Sequence, residues 1–111
     1  MQPERRRTLR FAFDAEAEVS WENSDPKLPA RVTEISPNGC YLQMGNPADV
    51  GHSIFVKIFA EDSFFETHAT VIYSQPNSGM GVAFHDLKPY FVGVLKKWLL
   101  AAMLSKQKPR D

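Results

Sequence analysis

The stretch that decides the fold is Phe11-Ala12-Phe13-Asp14-Ala15-Glu16-Ala17-Glu18-Val19-Ser20-Trp21. Phe11, Phe13, Ala15, Ala17, Val19 and Trp21 alternate with Ala12, Asp14, Glu16, Glu18 and Ser20. A period of two puts one set of side chains on each side of an extended chain, so this is a long strand with one buried face and one wet, acidic face. Glu22-Asn23-Ser24-Asp25-Pro26 then reads as a turn or short loop.

The residues that follow repeat the same grammar. Strands are expected from about Leu28 to Ile35, from Cys40 to Met44, from Ser53 to Phe59, from Phe65 to Tyr73 and from Met80 to Phe84. In the fourth, Ile54, Val56 and Ile58 share a face; in the fifth, Ala69, Val71 and Tyr73 do. Ser36-Pro37-Asn38-Gly39, Gly45-Asn46-Pro47, Glu61-Asp62-Ser63 and Gln75-Pro76-Asn77-Ser78-Gly79 punctuate them as turns. Short strands at this spacing, with no helix between them, make an antiparallel sandwich or a small barrel. The period then changes. Phe91, Val94, Leu95, Trp98, Leu99 and Ala102 follow helical spacing, and Pro89 suits a first helical turn, so a helix is expected from about Pro89 to Leu104. Trp98 to Leu104 is apolar almost all round, more than one packed face needs, which calls for burial on two sides or for a second contact with a protein partner or another copy of the chain.

Composition bounds the function. The 111 residues suit one domain, and 43% hydrophobic residues suffice for a core. Thirteen basic residues balance thirteen acidic ones, which argues against general nucleic-acid binding. The single cysteine, Cys40, excludes an internal disulfide and fits a reduced, cytoplasmic setting. No apolar run reaches membrane-spanning length, and no apolar stretch follows the basic N-terminus as a signal peptide would require.

Any anion site must therefore be local. Glu4-Arg5-Arg6-Arg7-Thr8-Leu9-Arg10 concentrates four of the basic residues directly before the first strand. An arginine fork grips phosphate, pairs bidentately with guanine O6 and N7, or stacks on a purine. Downstream, Glu34-Ile35-Ser36-Pro37-Asn38-Gly39 offers the complement: a carboxylate for donors on the Watson–Crick edge of guanine, a hydroxyl at Ser36, and bare backbone at Gly39. Alone, the first stretch also reads as a solvated tail and the second as a plain turn.

Together and in this order, the two stretches resemble the PilZ domain family, bacterial receptor modules for cyclic di-GMP. The family's RxxxR matches Arg6-Arg7-Thr8-Leu9-Arg10, with Arg5 as the preceding arginine, and its (D/N)xSxxG matches the run from Glu34 to Gly39 except at the first position. Gly79-Met80-Gly81-Val82-Ala83-Phe84 resembles the family's glycine-bearing last strand. The resemblance implies a mostly β fold, a six-stranded antiparallel small β-barrel with a C-terminal α-helix. It divides the chain into a flexible basic arm (1–10), the barrel with its helix (11–105) and a basic tail (106–111). By the same resemblance Arg6 and Arg10 hold phosphate and guanine, Ser36 and Gly39 lie against a base, Glu34 is the acceptor, and Arg5 leans toward a stacked ligand pair. Glutamate in place of aspartate or asparagine adds a methylene. Misplacing one charged hydrogen bond costs about 1.5–3 kcal/mol, roughly ten- to hundredfold in affinity.

The function expected is a cyclic di-GMP receptor and adaptor, not an enzyme, that needs no cofactor and converts ligand binding by the arginine arm into altered protein contacts. Its main alternative is a PilZ-like adaptor with weak or no ligand binding; third is a small barrel for single-stranded nucleic acid. His52, His68 and His85 lack metal-ligand spacing and read as surface or edge residues, and Cys40 reads as a small buried hydrophobe.

Overall fold

A computed structural model of the chain describes residues 10–21 and 27–106. Six strands precede one helix: β1 (Phe11–Trp21), β2 (Leu28–Ser36), β3 (Gly39–Gln43), β4 (Ser53–Ala60), β5 (Ser63–Gln75), β6 (Gly79–His85) and α1 (Pro89–Lys106). The strands pair antiparallel in the order β1-β2-β3-β6-β5-β4, and β4 returns to β1, so the sheet closes into a barrel. Of the two architectures open from the strand pattern, the barrel is the one formed. Closure gives every strand two hydrogen-bonded neighbours, with the first residues of β1 and β2 running beyond the partner on one side.

The alternation in β1 does what its period requires. Ala15, Ala17 and Val19 are buried while Asp14 and Glu16 face water. Ile54, Val56 and Ile58 of β4, Cys40 and Leu42 of β3, and Phe65, Ala69 and Val71 of β5 complete the inner layer. β1 keeps its expected bounds, β2, β4, β5 and β6 run one or two residues past theirs, β3 lies one residue earlier than expected, and the helix continues to Lys106. Its buried side carries Val94, Leu95, Trp98 and Ala102 and packs against β1 and β5. Trp98 sits between Phe13 at 5.5 Å and Phe65 at 6.1 Å, ring centre to ring centre. Its indole N–H is buried without a hydrogen-bond partner among the described residues.

Three register shifts interrupt the ladders, and all lie toward one end of the barrel. Phe13 and Asp14 of β1 together oppose Thr33. Thr33 is also the extra residue where β2 meets β3. Ile72 is the extra residue of β5 against β6. A bulge inverts the inside–outside phase of the strand beyond it. At Thr33 this turns Ile35 into the core and Glu34 outward. At Ile72 it turns Tyr73 out, so Tyr73 does not share the inner face of Ala69 and Val71 as its spacing suggested; it is 39% exposed.

Candidate functional site

The bulges matter because of what they align. Cα pairing links Ala12 of β1 to Glu34 of β2, Glu34 to Tyr41 of β3, Tyr41 to Gly81 of β6, and Gly81 to Tyr73 of β5. These residues form one lateral row on the outer surface. A cleft of about 250 Å³ follows this row, with Arg10, Glu34, Ser36 and Gly39 at one side and Tyr41, Tyr73 and Gly81 at the other. The structure thus gathers four of the six expected site residues, Arg10, Glu34, Ser36 and Gly39, around one cavity. Arg5 and Arg6 lie outside the described residues.

Each of the four has a definable local role. Arg10 donates to the Glu34 carboxylate at 3.4 Å, and both side chains remain half exposed. Solvent-exposed pairs of this kind contribute about 0–1 kcal/mol, so either partner is available to a ligand at little cost. The Ser36 hydroxyl is committed to its own turn. It accepts from the Asn38 and Gly39 amides at 3.1 and 3.0 Å and donates to the Gly39 carbonyl at 3.2 Å. Ser36 is buried, and what it offers the cleft is the shape of the turn. That turn is tied to β6 by the Phe84 amide, which donates to the Asn38 carbonyl at 2.8 Å.

Gly39 is not left-handed; Gly51 is the one glycine among the described residues with positive φ. The requirement at Gly39 is close approach. A Cβ there would stand 2.0 Å from the Val82 carbonyl oxygen, inside the β3–β6 ladder. The same argument explains the glycines of β6. A Cβ at Gly79 would meet the Leu42 carbonyl oxygen at 2.3 Å and the Tyr41 hydroxyl at 2.8 Å, and one at Gly81 would stand 2.5 Å from the Tyr73 ring. With no side chain at either position, the two tyrosine rings lie over β6, 6.0 Å apart and inclined by 28°. Tyr41 is fixed further by its hydroxyl, which donates to Gln75 Oε1 at 2.7 Å.

The tyrosine pair was not singled out from sequence. The spacing in the fifth strand sets Tyr73 on the face of Ala69 and Val71, and nothing in the sequence distinguishes Tyr41. The signal available was the alternation of Gly79 and Gly81 in the last strand, which empties the outer face of β6 and leaves room for large neighbours.

The chemistry of the cleft is recognition. Glu34 can accept from paired N–H donors, Arg10 offers a cationic fork, Gly39 and Gly81 line the cavity without side chains, and Tyr41 and Tyr73 present aromatic faces on which a flat heterocycle can stack. Cys40 borders the cavity, but its thiol is buried and burial pushes its pKa far up, away from the thiolate. Among the described residues, no group of three or more His, Cys, Asp or Glu side chains could hold a metal ion. No described helix is long and apolar enough to cross a membrane.

Comparison with known proteins agrees with the fold. No curated protein matches the chain. Among solved structures, the PilZ domain with c-di-GMP of YcgR from Escherichia coli superposes with a TM-score of 0.77 at 12% identity, covering 93% of this chain and 95% of that one. The PilZ domain of CeSA from a cellulose-synthesizing bacterium gives 0.66 at 12% identity, covering 90% and 100%. The inhibitor of motility MotI/DgrA from Bacillus subtilis gives 0.74 at 18% identity; it covers 97% of this chain, which spans 55% of that protein. At these identities the likeness establishes the barrel and its terminal helix. The sequence itself matches the PilZ domain model over residues 4–101, from the arginine run into α1, and the chain belongs to the PilZ domain family.

Proposed function

We propose that the chain is a cytoplasmic receptor for cyclic di-GMP that passes ligand binding on as altered protein contacts. The observation that carries this reading is the convergence of Arg10, Glu34, Gly39 and the Tyr41–Tyr73 pair on one cavity. A guanine needs an acceptor for its Watson–Crick donors, and a phosphodiester needs a cation. Glu34 and Arg10 supply these side by side, and the tyrosines continue the row in the direction a second base would extend. The arginine run from Arg5 to Arg7 precedes Arg10 in the sequence and would add charge for the phosphates. The fold shared with the c-di-GMP-bound domain of YcgR supports the assignment.

The Arg10–Glu34 pair also favours a second reading. The two groups that would meet the ligand already pair with each other, which takes up to about 1 kcal/mol from binding, so a more weakly binding adaptor that acts through protein contacts is the alternative. Titration calorimetry with cyclic di-GMP decides between them. The receptor gives micromolar or tighter binding that weakens at least about tenfold in Arg6→Ala and Arg10→Ala, the loss of one charged contact. Absence of heat at low salt and high ligand concentration overturns it in favour of the adaptor.

A further inference from the structure

We propose that the solvent face of α1 docks an acidic amphipathic helix of a partner protein. One glycine of α1 has no internal purpose. Gly93 lies mid-helix, where glycine costs about 1 kcal/mol against alanine. At Gly39, Gly79 and Gly81 a Cβ would collide with the fold; at Gly93 it would meet nothing within 4 Å. The fold therefore does not need a glycine there. A second helix crossing α1 closely at that point would.

The residues around Gly93 fit that use. Tyr90, Gly93, Lys97, Leu100 and Leu104 are exposed and recur at spacings of three, four, three and four, so they form one stripe about 21 Å long on the side away from the barrel. Tyr90, Leu100 and Leu104 are 69%, 55% and 58% exposed. Such spacing is the seam of a helix–helix contact.

Charge selects the occupant. α1 contains no Asp or Glu, and its exposed side carries Lys96 and Lys97 at the middle of the stripe. A partner helix with carboxylates facing these lysines and small or apolar residues facing Gly93 and Leu100 is complementary. A second copy of α1 is not, because a two-fold axis at the centre of the stripe sets Lys97 against its own copy. A lipid surface would use the lysines and leucines, but gains nothing from a bare Cα at Gly93. The inference rests on the receptor reading only for its purpose, since an adaptor needs an output surface; its geometry stands apart from the cleft.

The test uses the full chain and a synthetic amphipathic helical peptide of about 20 residues, with leucine and alanine along one side flanked by glutamates, beside the same peptide carrying lysine for glutamate. The acidic peptide binds in the micromolar range and the basic one does not. Leu100→Asp, Lys97→Glu and Gly93→Leu each weaken binding at least about tenfold, as loss of a central interface contact does. Gly93→Ala raises the melting temperature by roughly 4–6 °C, since the added methyl meets open space. Equal binding of both peptides, or of neither, overturns the proposal. So does binding to phosphatidylglycerol vesicles in place of the acidic peptide, or a wild-type dimer that Leu100→Asp dissolves. Leu100→Asp leaves cyclic di-GMP binding unchanged. Wild-type protein that binds the peptide but not the nucleotide supports this surface while refuting the receptor.

Discussion

The ring of Tyr73 lies so close over Gly81 that a single added methyl on residue 81 would stand 2.5 Å from it. The atom in the way is the far end of an exposed side chain, so Gly81→Ala expels the ring into solvent with only a small loss of stability. The expected outcome is weaker cyclic di-GMP binding, by about tenfold if one stacked base loses its platform. Tyr73→Ala reproduces the loss. Calorimetry on both variants, with a melting curve for each, checks it. Unchanged affinity in both would remove the tyrosine row from the site.

Glu34→Asp withdraws the carboxylate by one methylene and opens the 3.4 Å contact with Arg10. Both partners are exposed, so stability changes by less than about 1 kcal/mol. Ligand affinity rises, up to about tenfold, because Arg10 is no longer held by its neighbour and the acceptor no longer overreaches. Binding by the wild type weakens as salt rises, since the ligand's phosphates meet the half-exposed Arg10. Calorimetry at two ionic strengths measures both effects.

Ser36→Ala acts on the fold first. It strips the Asn38 and Gly39 amides of their acceptor in a buried turn, at a cost of about 1–3 kcal/mol. Urea unfolding shows a lower midpoint with an unchanged slope. Any loss of ligand affinity in this variant follows from the turn, and Ser36→Thr, which keeps the acceptor, restores both.

Asp14 gives a pH signature. Its carboxylate accepts from Arg31 Nε at 2.6 Å, and this hydrogen bond holds its pKa below the usual aspartate value. A depressed folded-state pKa means the unfolded chain takes up the proton first on acidification. The stabilisation is therefore present above about pH 4, the ordinary aspartate range, and fades as pH falls through the lower folded value. The stability difference between wild type and Asp14→Asn is small near neutrality, since the pair is exposed, and closes below that range. Melting temperatures from pH 7 to pH 3 measure it.

Much of this fold can be read directly from the chain. The alternation from Phe11 to Trp21 gives β1 its length and its two faces because nothing within it contradicts a period of two. The switch to helical spacing at Pro89 is equally plain. The bulges are where legibility fails. Val32 and Ile35 are both buried although three positions apart, and no residue type marks Thr33 as the one that slips. Val71, Ile72 and Tyr73 are all large and hydrophobic, so no polar residue records the change of phase that turns Tyr73 outward. Half of the cleft, Arg10 with the run from Glu34 to Gly39, was legible because its chemistry lies in short motifs. The aromatic half depends on cross-strand register, which a single strand does not encode. Gly39 was legible as important but not for its reason, since the carbonyl it accommodates belongs to Val82, far along the chain.

The segment from Arg10 to Phe13 joins two places that otherwise share nothing. At one end is a guanidinium in the cleft; three residues on is a phenyl ring stacked on Trp98. A shift of β1 large enough to reseat Arg10 on a ligand would alter the surroundings of a buried indole whose N–H has no partner among the described residues. The indole is therefore expected to act as a built-in optical gauge: with Trp21 replaced by Phe, emission from Trp98 changes as cyclic di-GMP is titrated in and Phe13→Leu removes the change, whereas a flat titration would show that β1 carries no such signal.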